Sequence, residues 1–229
     1  MPELSQVYKG SFAENYDQRR TQSKNWLAEE AVVVPNLNVI QSGDRVLDMP
    51  AGTGRWLKFV KDRGASVIFM DVSADMLGVA RNKAEELGFP VETVVADALL
   101  LERYPQADCL LSTRFFNWIP LDGVRTVLEK AKQAGVKTFI ITVRMTRDQD
   151  PLLAKLKLRL KYALRDLRRP LGLRYKSKNH MHREKDLRGL FRDLNLTVER
   201  EVPVDHYGAR GKVFFVLRTS GRAVQPAAS

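Results

Sequence analysis

Three aspartates and two glycines carry the most specific chemistry in this chain. Asp48 ends the apolar run Val46-Leu47 and is followed by Met49-Pro50-Ala51-Gly52-Thr53-Gly54-Arg55-Trp56. Glycines between a strand and a helix let the backbone approach a ligand closely, and the opening helix presents free N–H groups. The same glycines also satisfy ordinary turn geometry. Asp71 ends a second apolar run, where a carboxylate can accept both hydroxyls of a ribose. Asp97 follows a third, in Val94-Val95-Ala96-Asp97-Ala98, where it can take the amino group of an adenine. A fourth run leads into Thr113-Arg114-Phe115-Phe116-Asn117-Trp118, whose aromatic rings suit either base stacking or an apolar pocket. The candidate bases are His180, His182 and His206. Histidine titrates near neutrality, and residues two apart in an extended segment point the same way. Two readings stay open: one of His180 and His182 serves as a general base, or His182 starts a helix and His180 is a surface polar residue. No acid or cysteine lies at ligand spacing beside them, so no metal is expected.

These residues need a scaffold that gathers strand ends. Strands are expected at Arg45–Asp48, Ser66–Asp71, 91–95, 107–112 and 136–144. Helices are expected between them at 54–62, at 74–87 with Ser73 as N-cap and Gly88 as stop, and at 121–134. Strands alternating with helices imply right-handed crossovers and a mostly parallel, doubly wound sheet covered on both faces. Helices at 151–169 and 183–194 follow. Strands at 197–205 and 211–218, joined by a short glycine-containing link, read as an antiparallel hairpin. Residues 1–42 read as a helical extension anchored by Trp26, Leu27 and Val32-Val33-Val34.

A nicotinamide-dinucleotide site of the form G-x-G-x-x-G is the nearest rival for the glycine loop. Leu57 occupies its third glycine position, and Asp48 would repel a pyrophosphate. An acid there suits a ligand with an ammonium and a sulfonium, which favours S-adenosylmethionine. With these motifs the chain resembles the class I S-adenosylmethionine-dependent methyltransferases. The resemblance covers residues 8–145 by motif and reaches about residue 218 by topology. One departure is Pro50, which stands where that family has the first glycine of its loop. The resemblance implies a seven-stranded, mostly parallel sheet with a C-terminal antiparallel strand, and S-adenosylmethionine as cofactor. It implies that Asp48 and Gly52 lie near the methionine portion, that Gly54 opens the loop, and that Asp71 lies at the ribose, Val72 and Met76 beside the adenine, Asp97 and Ala98 at the adenine edge, and Thr113 near the methionine. Tyr16 and Arg20 resemble residues of a lid over the cofactor; for Tyr16 a plain packing contact is the equal alternative.

The 229 residues carry 38 Lys and Arg against 27 Asp and Glu, a net charge of +11. The excess is local. Residues 151–178 hold ten bases and the single acid Asp166. Within them Leu153, Leu156, Leu160, Leu164 and Leu167 recur at helical spacing. Such a helix is a lid with solvated charges, a contact to an anionic membrane surface, or a grip on nucleic-acid phosphates. No RNA-binding signature accompanies it, and the fourth strand is not followed by the Asn-Pro-Pro-Tyr type of motif found in amino-methylating enzymes, so nucleic acid is the lesser expectation. The single cysteine, Cys109, excludes an intrachain disulfide and any cysteine-based zinc site. The polar N-terminus has no apolar stretch typical of a secretory signal. The expectation is a cytoplasmic enzyme, with the inner face of a membrane as one of the contacts open to 151–169, whose acceptor is a small, lipid-linked or glycan-linked molecule methylated at oxygen. Its alternatives are an RNA methyltransferase and a non-catalytic relative. One domain is expected over 1–220, with 1–42 as lid, 147–180 as a basic helical insertion and 221–229 as a flexible tail.

Overall fold

The structure, a computed structural model, describes residues 10–18, 21, 23–147, 156, 160, 180–204 and 211–220. The strands are β1 (Arg45–Asp48), β2 (Ser66–Asp71), β3 (Glu92–Val95), β4 (Cys109–Ser112), β5 (Thr138–Thr146), β6 (His182–Arg183), β7 (Leu196–Pro203) and β8 (Lys212–Thr219). The helices are α1 (Ser11–Glu14), α2 (Lys24–Asn36), α3 (Leu57–Lys61), α4 (Ala74–Glu86), α5 (Leu121–Gln133) and α6 (Glu184–Asp193), with a 3-10 turn at Leu37–Val39.

The sheet order is β3-β2-β1-β4-β5-β8-β7. Strands β1 to β5 pair in parallel, and β8 runs antiparallel to both β5 and β7. The expected seven strands form this path. An eighth, the two-residue β6, pairs with the far end of β5, so the sheet counts eight strands rather than seven.

Central strands are buried on both faces, which is why they read as continuous apolar runs. Their side chains alternate between two cores. Leu47, Leu110, Phe139, Ile141 and Phe215 face α5 and α6, while Val46, Leu111, Ile140, Phe214 and Val216 face the 3-10 turn, α3 and α4. Each helix offers a matching stripe: Val124, Val127, Leu128 and Ala131 on α5, and Leu187, Leu190 and Phe191 on α6. Phe191 meets Phe215 edge-on at 5.6 Å.

Three expectations need correction. The helix expected from residue 54 starts at Leu57, because Gly52 and Gly54 hold φ of 54° and 68° and keep the loop out of the helical region. Leu27 is 53% exposed and anchors nothing; Trp26, Ala28 and Val33 form the buried face of α2. The strand expected at 107–112 begins at Cys109. Of the basic segment, only Leu156 and Leu160 are described: both are helical, and they are 60% and 58% exposed. The rest of that segment, Arg20, His206 and the tail after residue 220 lie outside the described residues. Among the described residues no helix is long and apolar enough to cross a membrane, and no group of His, Cys, Asp and Glu gathers that could hold a metal ion.

Candidate cofactor and acceptor site

A cavity of about 470 Å³ opens where the loops after β1, β2, β3 and β4 gather, the edge at which ligands bind in open α/β sheets. Tyr16, Gly52, Asp71, Val72, Met76, Asp97, Ala98 and Thr113 all line it. One fold edge therefore collects eight residues spread over nearly a hundred positions.

The two loop glycines serve different ends. A Cβ on Gly52 would meet only Met76 Cε, at 3.6 Å, so this glycine keeps the loop backbone open on the cavity side. A Cβ on Gly54 would lie 3.1 Å from both Ala80 Cβ and Phe69 Cζ. Gly54 lets the loop pack against α4 and β2, and it does not line this cavity.

Asp71 is fixed from both sides. Its Oδ2 accepts the Gly52 N–H at 2.9 Å and its Oδ1 the Ser73 N–H at 2.9 Å. Each carboxylate oxygen has a second acceptor site for a ligand hydroxyl. Burial pushes this carboxyl up, and the backbone N–H groups pull it back. Asp48 is 2% exposed, does not line the cavity, and has an Oδ2 with no protein partner. Burial, and next the charge of Asp71, hold its carboxyl well above the usual carboxylate range. Asp97 Oδ1 accepts the Leu99 N–H at 2.9 Å, which steadies the turn after β3.

Tyr16 reaches the cavity because the segment carrying it is pinned to the loop. Thr53 Oγ1 donates to Asp17 Oδ1 at 2.7 Å, and Lys83 forms an ion pair with the same carboxylate. The Gly10 N–H donates to Asp75 Oδ2 at 2.7 Å.

Neither His180 nor His182 lines the cavity. Their rings stack 6.4 Å apart, pointing the same way as their spacing implies. His182 is buried, and its Nε2–H donates to the Phe116 carbonyl at 2.8 Å. The His180 N–H donates to the Asn117 carbonyl at 2.6 Å. These two residues thus strap the loop after β4 from outside, and Phe115, Asn117 and Trp118 of that loop do line the cavity. Burial lowers the His182 imidazole below its ordinary value, so the ring stays neutral and keeps its single donor on Phe116.

Sequence reasoning missed the charged end. Arg55, Arg114, Arg144 and Lys212 line the cavity. Glu29 is fully buried among three of them: Oε2 accepts from Arg55 at 2.6 Å and from Arg114 at 2.5 Å, and Oε1 accepts from Lys212 at 3.2 Å. Burial raises this carboxyl, but Lys212, Arg114 and Arg55 together outweigh it and hold Glu29 low. The Arg55 guanidinium lies between two rings, 3.7 Å from Trp26 and 4.2 Å from Trp56. Trp56 Nε1–H donates to Thr113 Oγ1 at 3.0 Å. One signal for Glu29 was legible: Trp26, Glu29 and Val33 fall on one helical stripe, which puts an acid on a buried face.

The residues fit an adenosylated amino acid. Asp71 and Asp97 flank an apolar slot of Val72, Met76 and Ala98, as a ribose and adenine require. Asn117 Oδ1, buried in the lining, has no protein partner and can accept an ammonium or amide hydrogen.

Residues 46–135 match the family model described as methyltransferase domain. Over 59 residues, a quarter of this chain, the sequence is 44% identical to a demethylmenaquinone methyltransferase of Thermus thermophilus; that stretch spans about 27% of the relative. The fold is similar to the magnesium protoporphyrin IX methyltransferase of Synechocystis crystallised with S-adenosylhomocysteine. The TM-score is 0.70 at 15% identity, covering 96% of this chain and all of that one. It is also similar to the 1,6-didemethyltoxoflavin-N1-methyltransferase of Burkholderia thailandensis, with a TM-score of 0.63 at 17% identity, covering 96% and 88%. Residues 46–135 thus match a methyltransferase domain, and the chain has a fold similar to that of methyltransferases crystallised with S-adenosylhomocysteine.

Proposed function

We propose that this protein transfers a methyl group from S-adenosylmethionine to an oxygen of a small-molecule acceptor. We take residues 1–220 as one domain, with 1–42 as the lid segment. The observation that carries the reading is a single cavity with two unlike ends. Asp71, Asp97, Val72 and Met76 come from the β2 and β3 side of the sheet; Phe115, Trp118, Arg114, Arg144 and Lys212 come from the β4, β5 and β8 side, which we take as the other end. The solved relatives named for a porphyrin and for a toxoflavin precursor support a small-molecule acceptor.

Bound at the first end, S-adenosylmethionine would supply a methyl group on a cationic sulfur, for transfer to the acceptor oxygen with a neutral thioether as the leaving group. The chain's own tasks are positioning and desolvation. Asp71 would hold the ribose, Asp97 the adenine edge, and Gly52 would leave room for the backbone to approach. The aromatic residues exclude water around the acceptor. Cations at the second end favour the deprotonated form of an acceptor oxygen, whose proton goes to solvent. His180 and His182 act as positioning residues for the loop after β4.

Asp71→Ala tests the reading. Loss of charge-assisted bonds to the ribose should weaken S-adenosylmethionine binding by about 1.5–3 kcal/mol, read by calorimetry. Wild-type affinity in the variant would refute the assignment.

A further inference from the structure

The cofactor explains one end of the cavity and leaves the other with a surplus of positive charge. Arg55, Arg114, Arg144 and Lys212 come from four separate stretches: the glycine loop, the turn after β4, the late part of β5 and the start of β8. Among the described residues, the acids paired with Arg55, Arg114 and Lys212 are the buried Glu29 and, at the rim, Glu30, which reaches Arg55 at 3.5 Å. In the sheet order, β2 and β5 are separated by three inter-strand spacings, roughly 14 Å. The cations of β5 and β8 thus sit across the site from Asp71.

Holding that charge there runs against the local physics in two ways. Burial disfavours the charged forms of Lys212 and Arg55. Arg114 sits at φ 63°, a left-handed conformation unusual for a side-chain-bearing residue. Its N–H is locked onto Thr142 Oγ1 at 2.9 Å, and this aims the guanidinium at Glu29 and the cavity. The amino-acid end of S-adenosylmethionine cannot balance the surplus, because its carboxylate is offset by its own ammonium.

We propose that the acceptor is recognised through an anionic group, a carboxylate or a phosphate, gripped by Arg114, Arg144 and Lys212, while Trp26, Phe115 and Trp118 pack on its apolar body. This rests on the cofactor occupying the Asp71 end. Guanidinium groups pair with both kinds of oxyanion in a forked geometry, and a neutral acceptor would leave Arg55, Arg114 and Lys212 sharing the one buried carboxylate of Glu29.

All three tryptophans of the chain line this cavity, so intrinsic fluorescence reports on it. Protein saturated with S-adenosylhomocysteine is titrated at low salt with benzoate, phenyl phosphate and the neutral benzamide. At least one anion should bind ten-fold or more tighter than benzamide; the tighter of the two identifies the group. Arg144→Gln should weaken anion binding at least ten-fold with S-adenosylhomocysteine affinity within two-fold of wild type, and Arg144→Lys should restore part of it. Equal binding of benzamide and the anions would overturn the proposal. So would an anion displaced by S-adenosylhomocysteine, or an Arg144→Gln variant that loses affinity for both ligands equally, since the cations would then serve the cofactor. If S-adenosylhomocysteine binds wild type and no anion does, this inference alone falls. If S-adenosylhomocysteine itself does not bind, the cofactor reading falls with it.

Discussion

Asp48 and Asp71 end neighbouring parallel strands, and the first is the more costly to bury. The Asp48 carboxyl is raised in the folded protein by burial and by Asp71. A raised group contributes stability below its unfolded value, near 3.8, and loses it as pH rises through the folded value. Asp48→Asn has no such loss, and its amide can donate toward Asp71. The variant should gain stability over wild type between pH 5 and pH 8, measured by urea unfolding at both; a difference that does not change with pH would show that Asp48 carries no such penalty. Glu29 is the opposite case. It is held low by three cations, so its contribution is present above 4.5 and lost as pH falls through the folded value. Glu29→Gln leaves Arg55, Arg114 and Lys212 without their shared buried partner and should destabilise by about 3–5 kcal/mol. Denaturant titration of the variant checks this, and a loss under 1 kcal/mol would mean that solvent, not Glu29, balances those charges.

Two short elements set the walls of the site. β6 holds the loop after β4 through His182 and the His180 N–H. His182→Ala leaves the Phe116 carbonyl without its donor, a cost of about 1–3 kcal/mol. The imidazole is lowered in the fold by burial, with the Phe116 bond and Asp186 opposing and His180 adding to the shift. Its contribution is therefore present above the unfolded value near 6.5 and lost as pH falls toward the folded value. Wild type should lose stability below about pH 6.5 in a step that His182→Ala lacks; parallel pH profiles would remove the strap from the account. On the opposite wall, Asp17 ties the Tyr16 segment to Thr53 and Lys83. The ion pair is partly exposed, so Asp17→Ala should change stability by less than about 1 kcal/mol. It should weaken S-adenosylhomocysteine binding several-fold in calorimetry. Unchanged binding would leave Tyr16 as a packing contact only.

Across the molecule, positive charge gathers in residues 151–178 and in the four cations that line the cavity. We propose distinct roles for the two: the cavity cations for the acceptor, the basic segment for an anionic surface. Replacing Lys155, Lys157, Arg159 and Lys161 with Gln should leave S-adenosylhomocysteine affinity as it is and reduce sedimentation with liposomes containing anionic lipid at low salt. Unreduced liposome binding would leave these charges as a solvated face.

The parallel sheet, and the gathering of Gly52, Asp71, Asp97 and Thr113 at one edge of it, were legible in the chain because their signals are local. Val46-Leu47, Val67-Ile68-Phe69 and Leu110-Leu111 are apolar runs that only a doubly covered sheet accommodates, and each ends at the edge where its acid or glycine must act. Boundaries were less legible. The onset of α3 was misplaced by three residues because two left-handed glycines delay it. The charged end was invisible because it is built from contacts at long range: Glu29 meets Lys212 across 183 positions and Arg114 across 85. Each of these residues, read alone, is an ordinary surface charge. The adjacency of β4, β5 and β8 brings their ends under α2, and burial then turns one acid and three bases into a single network. The histidines show the same division. Their spacing determined that the rings point together, but the pairing of β6 with β5 aims the His182 ring at the Phe116 carbonyl, and neither ring lines the cavity, because a strand's neighbours, and not its residues, choose which face its side chains meet.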